Sequence, residues 1–564
     1  MAKIDCFLVG HNEFDIQKNK RLLLYLYGKN SHEYRDRIKY NLSQVTIGDK
    51  RYTPVELYSY FLRQEEATDT HDFDLSIITE SFNLAIAYLA NRLAHQGLTF
   101  DFINDFQRGK NSLRDKLLRN EIRTIGIVTT YYLSHYPIFD IVSFIRKYNN
   151  NVKIIVGGPF VISKANSMPA NKLDELLETT GADYYVRDSF GEDILVDLLK
   201  CIKSTAPVSN IRNLYYREGG SFHFSYEQIE NYNFNDNLID WRLFDKRLTP
   251  VVNVRTGVSC PFKCAFCNFP LYAGKYNLSS LDNCEQELRL LHQLGIRYIQ
   301  FIDDTFNVPK KRFQELLRMM IQNRFDFQWN SYFKCQYADR ETVALMRESG
   351  CRFVFLGIES GSQTILDNMD KKNHVETYRA CMELFHEFDI MTMCSIIVGF
   401  PGETTRTFQE TFDFIEDTCP TFYQQRLWWY DRTAPIHRRR ESYSIEGGGY
   451  AWRHATMDAD GAHILSDRMF LDIQNSIHIT EYALPFFLLG RGMQQENIKR
   501  FLRSYMHANR AQYQKPDSQC GAHLVKDMHD AVVAHLDPGA PPPSPADRQQ
   551  FIAGHHEYAY KHSH

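Results

Sequence analysis

The run Cys260-Pro261-Phe262-Lys263-Cys264-Ala265-Phe266-Cys267 decides how the rest of the chain is read. Gaps of three and then two residues place three thiols on one tight loop, facing a common centre. Two metal chemistries compete for such a trio. Structural zinc takes four ligands, usually as two pairs, and no second pair of Cys or His stands nearby, Cys284 being isolated in a helical stretch. A [4Fe–4S] cluster on three cysteines leaves one iron open to a small molecule, which suits a catalyst. The other cysteines are dispersed and read as small buried residues.

The loop follows an apolar stretch at 251–255, the first of six strand-like segments that continue at 298–302, 328–333, 352–356, 391–398 and 426–430. Helical periodicity at 284–294, 311–323, 340–349, 365–369 and 375–388 separates them. Six β/α units predict a partial (β/α)6 TIM-type barrel over 250–430, with its active site at the carboxyl ends of the strands, where the cysteine loop stands. Upstream, strands at 74–79, 99–103, 124–129, 152–156 and a last short one at 181–186 alternate with helices at 85–95, 139–148, 172–180 and 192–202. That alternation predicts a doubly wound, Rossmann-like parallel sheet over 70–205. Ligands of such sheets sit at the strands' carboxyl ends, here 129–132, 157–159 and 189–192.

The flanking segments carry weaker signals. Residues 1–69 open with a strand at 4–9 and then turn polar and tyrosine-rich, which sets them apart as a segment of unassigned role. Residues 206–249 read as a linker with a hairpin at 213–216 and 221–226. Residues 431–564 are rich in His, Arg and aromatics and read as mostly helical, ending in a Pro-rich breaker at 537–547 and a His-rich tail.

With 564 residues the chain is long enough for two to four domains, and an aromatic content of 14% excludes disorder for most of it. A net charge of −4 gives no overall basic field, so no nucleic-acid partner is expected. No apolar run reaches the ~18 residues of a membrane span, and the opening residues form no secretory signal, so a cytoplasmic protein without a membrane partner is expected.

Further motifs follow the later barrel strands: Phe301-Ile302-Asp303-Asp304-Thr305-Phe306, Gly357-Ile358-Glu359-Ser360-Gly361-Ser362 and Val398-Gly399-Phe400-Pro401-Gly402-Glu403-Thr404. In this order, after Arg255-Thr256-Gly257-Val258-Ser259 and the cysteine loop with its aromatic Phe266, they resemble the radical S-adenosylmethionine (SAM) enzymes. Ile154-Ile155-Val156-Gly157-Gly158-Pro159, Gly181-Ala182-Asp183-Tyr184-Tyr185-Val186-Arg187 and Phe190-Gly191-Glu192 look like the cobalamin-binding domain that precedes the barrel in one large subclass. The Asp-x-His-x-x-Gly signature of base-off cobalamin domains is absent, and Ser134-His135-Tyr136 does not supply it. Three further features are similar to the phosphinate P-methyltransferase group of that subclass: the opening Ile4-Asp5-Cys6-Phe7-Leu8-Val9-Gly10-His11-Asn12-Glu13, the Trp428-Trp429-Tyr430 strand before Ala434-Pro435-Ile436-His437, and Gly449-Tyr450-Ala451-Trp452-Arg453-His454.

The resemblance implies a cobalamin-dependent methyltransferase of antibiotic biosynthesis. Cys260, Cys264 and Cys267 would hold a [4Fe–4S] cluster that cleaves SAM to a 5′-deoxyadenosyl radical. Methylcobalamin would donate a methyl group to an unactivated carbon or a phosphinate phosphorus. A non-methylating rearrangement or redox step is the alternative. Phe266, Asp303, Asp304, Lys334, Glu359 and Ser360 would contact SAM, and Asp303 and Asp304 read equally as helix caps. Thr129, Thr130, Tyr131, Val156, Gly157, Gly158, Pro159, Gly191 and Glu192 would contact cobalamin, with Tyr131 or Tyr132 shielding its lower face. Implied partners are a small-molecule or carrier-bound anionic substrate and a flavodoxin- or ferredoxin-type electron donor. Trp428–Tyr430 and Trp452 read as a cavity wall or as packing. The basic run His437-Arg438-Arg439-Arg440 reads as an anion grip or a solvated face, and His555, His556, His562 and His564 as metal ligands or a solvated tail. No catalytic residue is assigned.

Overall fold

A computed structural model describes residues 3–12, 44–65, 81–132, 134–228, 237–515 and 518–534. The strand expected at 74–79, the Pro-rich breaker and the tail histidines lie outside the described residues.

The first sheet is built around β1 (Ile4–His11), whose run of Cys6, Phe7, Leu8 and Val9 is buried on both faces, as a central parallel strand requires. It lies between β2 (Phe100–Asp105) and β3 (Ile122–Val128). Next come β4 (Lys153–Gly157) and β5 (Tyr184–Val186), all parallel. The strand that the sequence set apart in 1–69 is therefore the middle of this sheet. Helices Leu84–His95 and Glu192–Ser204 cover one face, and Phe106–Leu118, Tyr136–Tyr148 and Ala170–Thr180 the other. The order β2-β1-β3-β4-β5 reverses direction between β1 and β3, and ligands of such sheets lie outside the carboxyl ends at that reversal.

The expected linker is structural. Its hairpin, β6 (Leu214–Glu218) and β7 (Ser221–Phe224), extends the sheet antiparallel beyond β5. Trp241 and Phe244 then pack against Phe82 and, through Phe244, Phe102, joining the first sheet's core to the second's.

The second sheet is parallel throughout. Its strands are β8 (Val251–Val254), β9 (Tyr298–Phe301), β10 (Gln328–Phe333), β11 (Cys351–Glu359), β12 (Met391–Val398), β13 (Phe422–Leu427) and β14 (Ile477–His478), each paired with its predecessor. The expected sixth strand at 426–430 lies earlier, and a short seventh comes from the C-terminal region. The amino end of the barrel is plugged by helix Leu484–Gly490, whose first six residues are all buried. They join Val251, Phe353, Met391 and Phe422 from the strands in one apolar cluster. The plug is backed by helix Gln495–Gln514, whose Tyr505 hydroxyl donates to the Tyr52 carbonyl at 2.9 Å and so docks the hairpin at 45–52. Among the described residues the C-terminal region after Ala459 is mostly helical apart from β14, but 446–458 forms a three-stranded antiparallel sheet rather than helix. Among the described residues no helix is long and apolar enough to cross a membrane.

The cysteine loop and the cavity between the two sheets

The loop after β8 is fixed before any cofactor is considered. Asp303, at the end of β9, accepts from the Thr256 and Gly257 amides at 2.7 and 3.0 Å on one oxygen and from the Thr256 hydroxyl at 2.6 Å on the other. Burial raises its pKa against those hydrogen bonds. Ser259 then takes a left-handed turn (φ 70°) into Cys260, and its hydroxyl donates to the Gly274 carbonyl. In the middle of the loop the Ala265 amide donates to the Met369 carbonyl (2.7 Å), and the Ala265 carbonyl accepts from the Ile436 amide (2.8 Å). Two separate elements therefore clamp the residue next to Cys264.

The three cysteines are unpaired, and burial raises the Cys260 and Cys267 thiols, each also feeling the thiol of Cys264. Two lysines answer that charge. Lys334 lies 4.9 Å over the Phe262 ring and Lys371 lies 5.4 Å over Phe266. Burial and the neighbouring Lys371 hold the Lys334 ammonium below its ordinary value. Lys371 is itself buried, but its 3.0 Å ion pair with Glu359 outweighs the burial and raises it. Glu359 stands at a left-handed backbone position (φ 66°) at the end of β11.

Beyond the loop, the carboxyl ends of both sheets face one space. Tyr131 follows β3 and Glu192 follows β5, while Arg255, Asp304 and Tyr332 come from the barrel and Tyr482 from the C-terminal region. Tyr131 and Tyr482 keep 41% and 40% of their surface accessible, yet burial raises the Tyr131 phenol to about 12, with Tyr482 adding to the rise and Arg255 opposing it. Groups both accessible and desolvated line an internal cavity. Burial likewise raises Tyr332 well above 10, helped by Tyr482, Asp304 and Tyr131. It raises Asp304 to about 6 and Glu192 to about 7, each against the pull of Arg255.

These positions sort the expected SAM contacts. Asp304 and Lys334 border the cavity and the loop. Asp303 is instead engaged by Thr256 and Gly257, and buried Ser360 hydrogen-bonds Thr411 (2.9 Å) and the Ser362 amide (3.1 Å). Glu359 gives one oxygen to Lys371, and Phe266 lies beneath that lysine.

Of the residues expected at cobalamin, Tyr131 and Glu192 line the cavity, and Thr130 is exposed beside them. Thr129 donates through its amide and hydroxyl to the Gly157 carbonyl (3.0 and 2.8 Å). Gly158 turns at φ 110°, and a Cβ there would meet the Thr129 oxygen at 2.9 Å. Thr129, Gly157 and Gly158 thus shape the edge, Pro159 starts the helix Pro159–Ser167, and Gly191 caps Glu192–Ser204. Val156 is fully buried core, not a ligand contact. Tyr132 is buried with its hydroxyl on the Gly10 carbonyl at 2.9 Å, so it shields no open face.

Parts of the aromatic wall and the basic run are held by packing and hydrogen bonds, while Trp429, Arg438 and Arg440 are exposed. Trp428 and Trp452 are buried, the indole of Trp452 donating to the Trp428 carbonyl. Arg439 donates to the Asn368 carbonyl and the Tyr443 hydroxyl, while His437 bonds Tyr430. Sequence reasoning missed Arg255 as a site residue, together with Lys371, Tyr332 and Tyr482. Arg255 opens the Arg255–Ser259 stretch before the cysteine loop and was within reach; Tyr482 joins from more than two hundred residues away, with no local signal.

Residues 254–415 match the radical SAM superfamily. An uncharacterized methyltransferase of Pyrococcus horikoshii is 27% identical over 54% of this chain and 68% of its own length. The bacteriochlorophyllide d C-12(1)-methyltransferase of Chlorobaculum tepidum is 27% identical over 42% of this chain and half (50%) of its own. Residues 254–415 thus form a radical SAM domain. The chain's two-sheet fold is shared with the radical SAM methyltransferase TsrM from Kitasatospora setae (TM-score 0.52, 18% identity, 63% of this chain and 71% of that one). The cobalamin-dependent radical SAM enzyme OxsB shares it more fully (TM-score 0.56, 13% identity, 86% and 79%).

Proposed function

We propose that the protein is a cobalamin-dependent radical SAM methyltransferase acting on a small anionic substrate, at an unactivated carbon or a phosphinate phosphorus of a natural-product intermediate. One observation carries this reading: Tyr131 and Glu192, at the carboxyl edge of the first sheet, stand within electrostatic reach of Arg255, which leads into the cysteine loop, so groups bound at the two edges would meet. The donor set fits a cluster. Cys260, Cys264 and Cys267 are three free thiols on one loop, and three cysteine ligands leave one iron of a cubane open to a small molecule. Lys334 and Lys371 offset the negative charge that three thiolates would bring. The first sheet suits a corrin, because ligands of such sheets lie at the reversal between β1 and β3, one strand from the glycine turn at 157–158.

Bound there, the cluster would supply the electron that cleaves SAM, and cobalamin the methyl group. The protein's share is placement and protection. Asp303 and the two backbone clamps hold the loop in position. Arg255 offers a fork of donors to a carboxylate or phosphinate oxygen. Asp304, poised at about 6 by burial, would exchange a proton with the substrate near neutral pH. The tyrosines keep water from a site where a carbon radical would attack any nearby hydrogen. A flavodoxin- or ferredoxin-type protein would supply electrons.

The test is anaerobic reconstitution of the full chain with iron, sulfide and cobalamin, followed by SAM labelled with a deuterated methyl group. Consumption of SAM with label entering a product supports the reading. SAM cleavage without label transfer points to a rearrangement or redox step, and zinc in place of iron sinks the proposal entirely.

A further inference from the structure

The opening strand plays no part in the site so far, yet β1 ends where the sheet reverses direction, at its ligand-binding edge. Its last residue is His11. Only 7% of His11 is accessible, and both Nδ1 and Nε2 are sealed from solvent with no hydrogen-bond partner among the described residues. Buried polar nitrogens are rarely left so, because desolvation without a partner costs free energy. Neighbouring groups are already committed. Asn12 donates to the Pro137 carbonyl and to Asp140, Gln107 donates to Asn12 and Asp140, and the Gly10 carbonyl is taken by Tyr132. Toward the cavity, Tyr131 stands edge-on to the imidazole at 5.8 Å between ring centroids. Burial lowers the His11 pKa to about 4, so the ring is neutral and keeps a lone pair at physiological pH.

We propose that His11 is the lower axial ligand of cobalt when a corrin ring lies on the carboxyl edge of the first sheet. This rests on the cobalamin reading above and goes beyond it. A neutral imidazole nitrogen is a suitable donor for a first-row transition metal. The Co–N bond forms by donation of the His11 lone pair, displacing the cofactor's own base or a water, with no proton or electron exchanged. Tyr131 moves aside into the cavity, where two-fifths of its surface is already open. Among the described residues no carboxylate orients the second nitrogen of this histidine or makes it more basic. The ligand is accordingly a weak one, readily released when cobalt is reduced.

The test is electron paramagnetic resonance of the full chain loaded with cob(II)alamin, prepared with ordinary histidine and with histidine labelled with nitrogen-15. The expected result is a triplet splitting of each cobalt line that becomes a doublet with labelled histidine and disappears in His11→Gln. Unsplit lines, or a triplet indifferent to the label, overturn the assignment while leaving corrin binding intact. If His11→Gln fails to fold, the labelled wild-type chain still decides. A chain that takes up no corrinoid ends the cobalamin reading, and the role of His11 with it.

Discussion

Asp303 and Asp304 are adjacent in sequence and have opposite tasks: one holds the cysteine loop, the other faces the cavity. Asp303→Ala removes three hydrogen bonds to a buried carboxylate and should cost about 2–4 kcal/mol, read as a lower melting temperature and a loss of bound iron. Asp304→Asn should keep iron content and stability while product formation falls about a hundred-fold; unchanged turnover would remove Asp304 from the mechanism. Glu287 gives a pH test. Buried, with its carboxylate accepting from the Trp241 indole at 2.9 Å, it is raised from 4.5 to about 7 by burial. Between those values the folded chain holds a proton that the unfolded chain has lost, so this group's contribution to stability falls as pH rises through the window. Glu287→Gln should match the wild type near pH 4.5 and be more stable near pH 8 by about 1–3 kcal/mol, as seen in denaturant titrations at the two pH values.

Helix Leu484–Gly490 acts as a stopper. Phe486→Ala, opening a void beside Tyr298, should lower stability by about 3–5 kcal/mol, measured by urea unfolding. Elements also show what a sequence conveys and what it withholds. The alternation of apolar strands and amphipathic helices was legible because each strand buries both faces. So was the place of the cysteine loop at a strand's carboxyl end. Neighbours were not legible. β1 carries no mark of its partners, which arrive about a hundred residues later, so it was set apart from the sheet it centres. The aromatic run at 428–430 drew the sixth barrel strand too late, and β14, two residues long, is too short for any periodicity. Single residues fared similarly. Asp303, Ser360 and Val156 sit in the right motifs, but hydrogen bonds and packing that no motif encodes occupy them. His11 was quoted as part of a pattern, and its bare nitrogens became visible only once the sheet was assembled.

At the scale of the whole molecule, one hydrophobic core runs from the first sheet through Trp241 into the barrel. The N-terminal hairpin and the C-terminal helices close the far end together. Truncation after Met493 removes the helix that docks Tyr52 and should abolish cooperative unfolding, read as a broad, weak transition by circular dichroism. A sharp transition in that fragment would show the barrel to be self-sufficient.

The bond from the Ile436 amide to the Ala265 carbonyl also sets an order of events in the cell. During translation the cysteines leave the ribosome some 170 residues ahead of the segment that completes their clamp, so the loop stays half-built while the intervening barrel is made. Iron delivery must therefore await synthesis of the barrel strands through β13 and the segment at 436, so a maturation partner that met the chain earlier would find only half of the clamp.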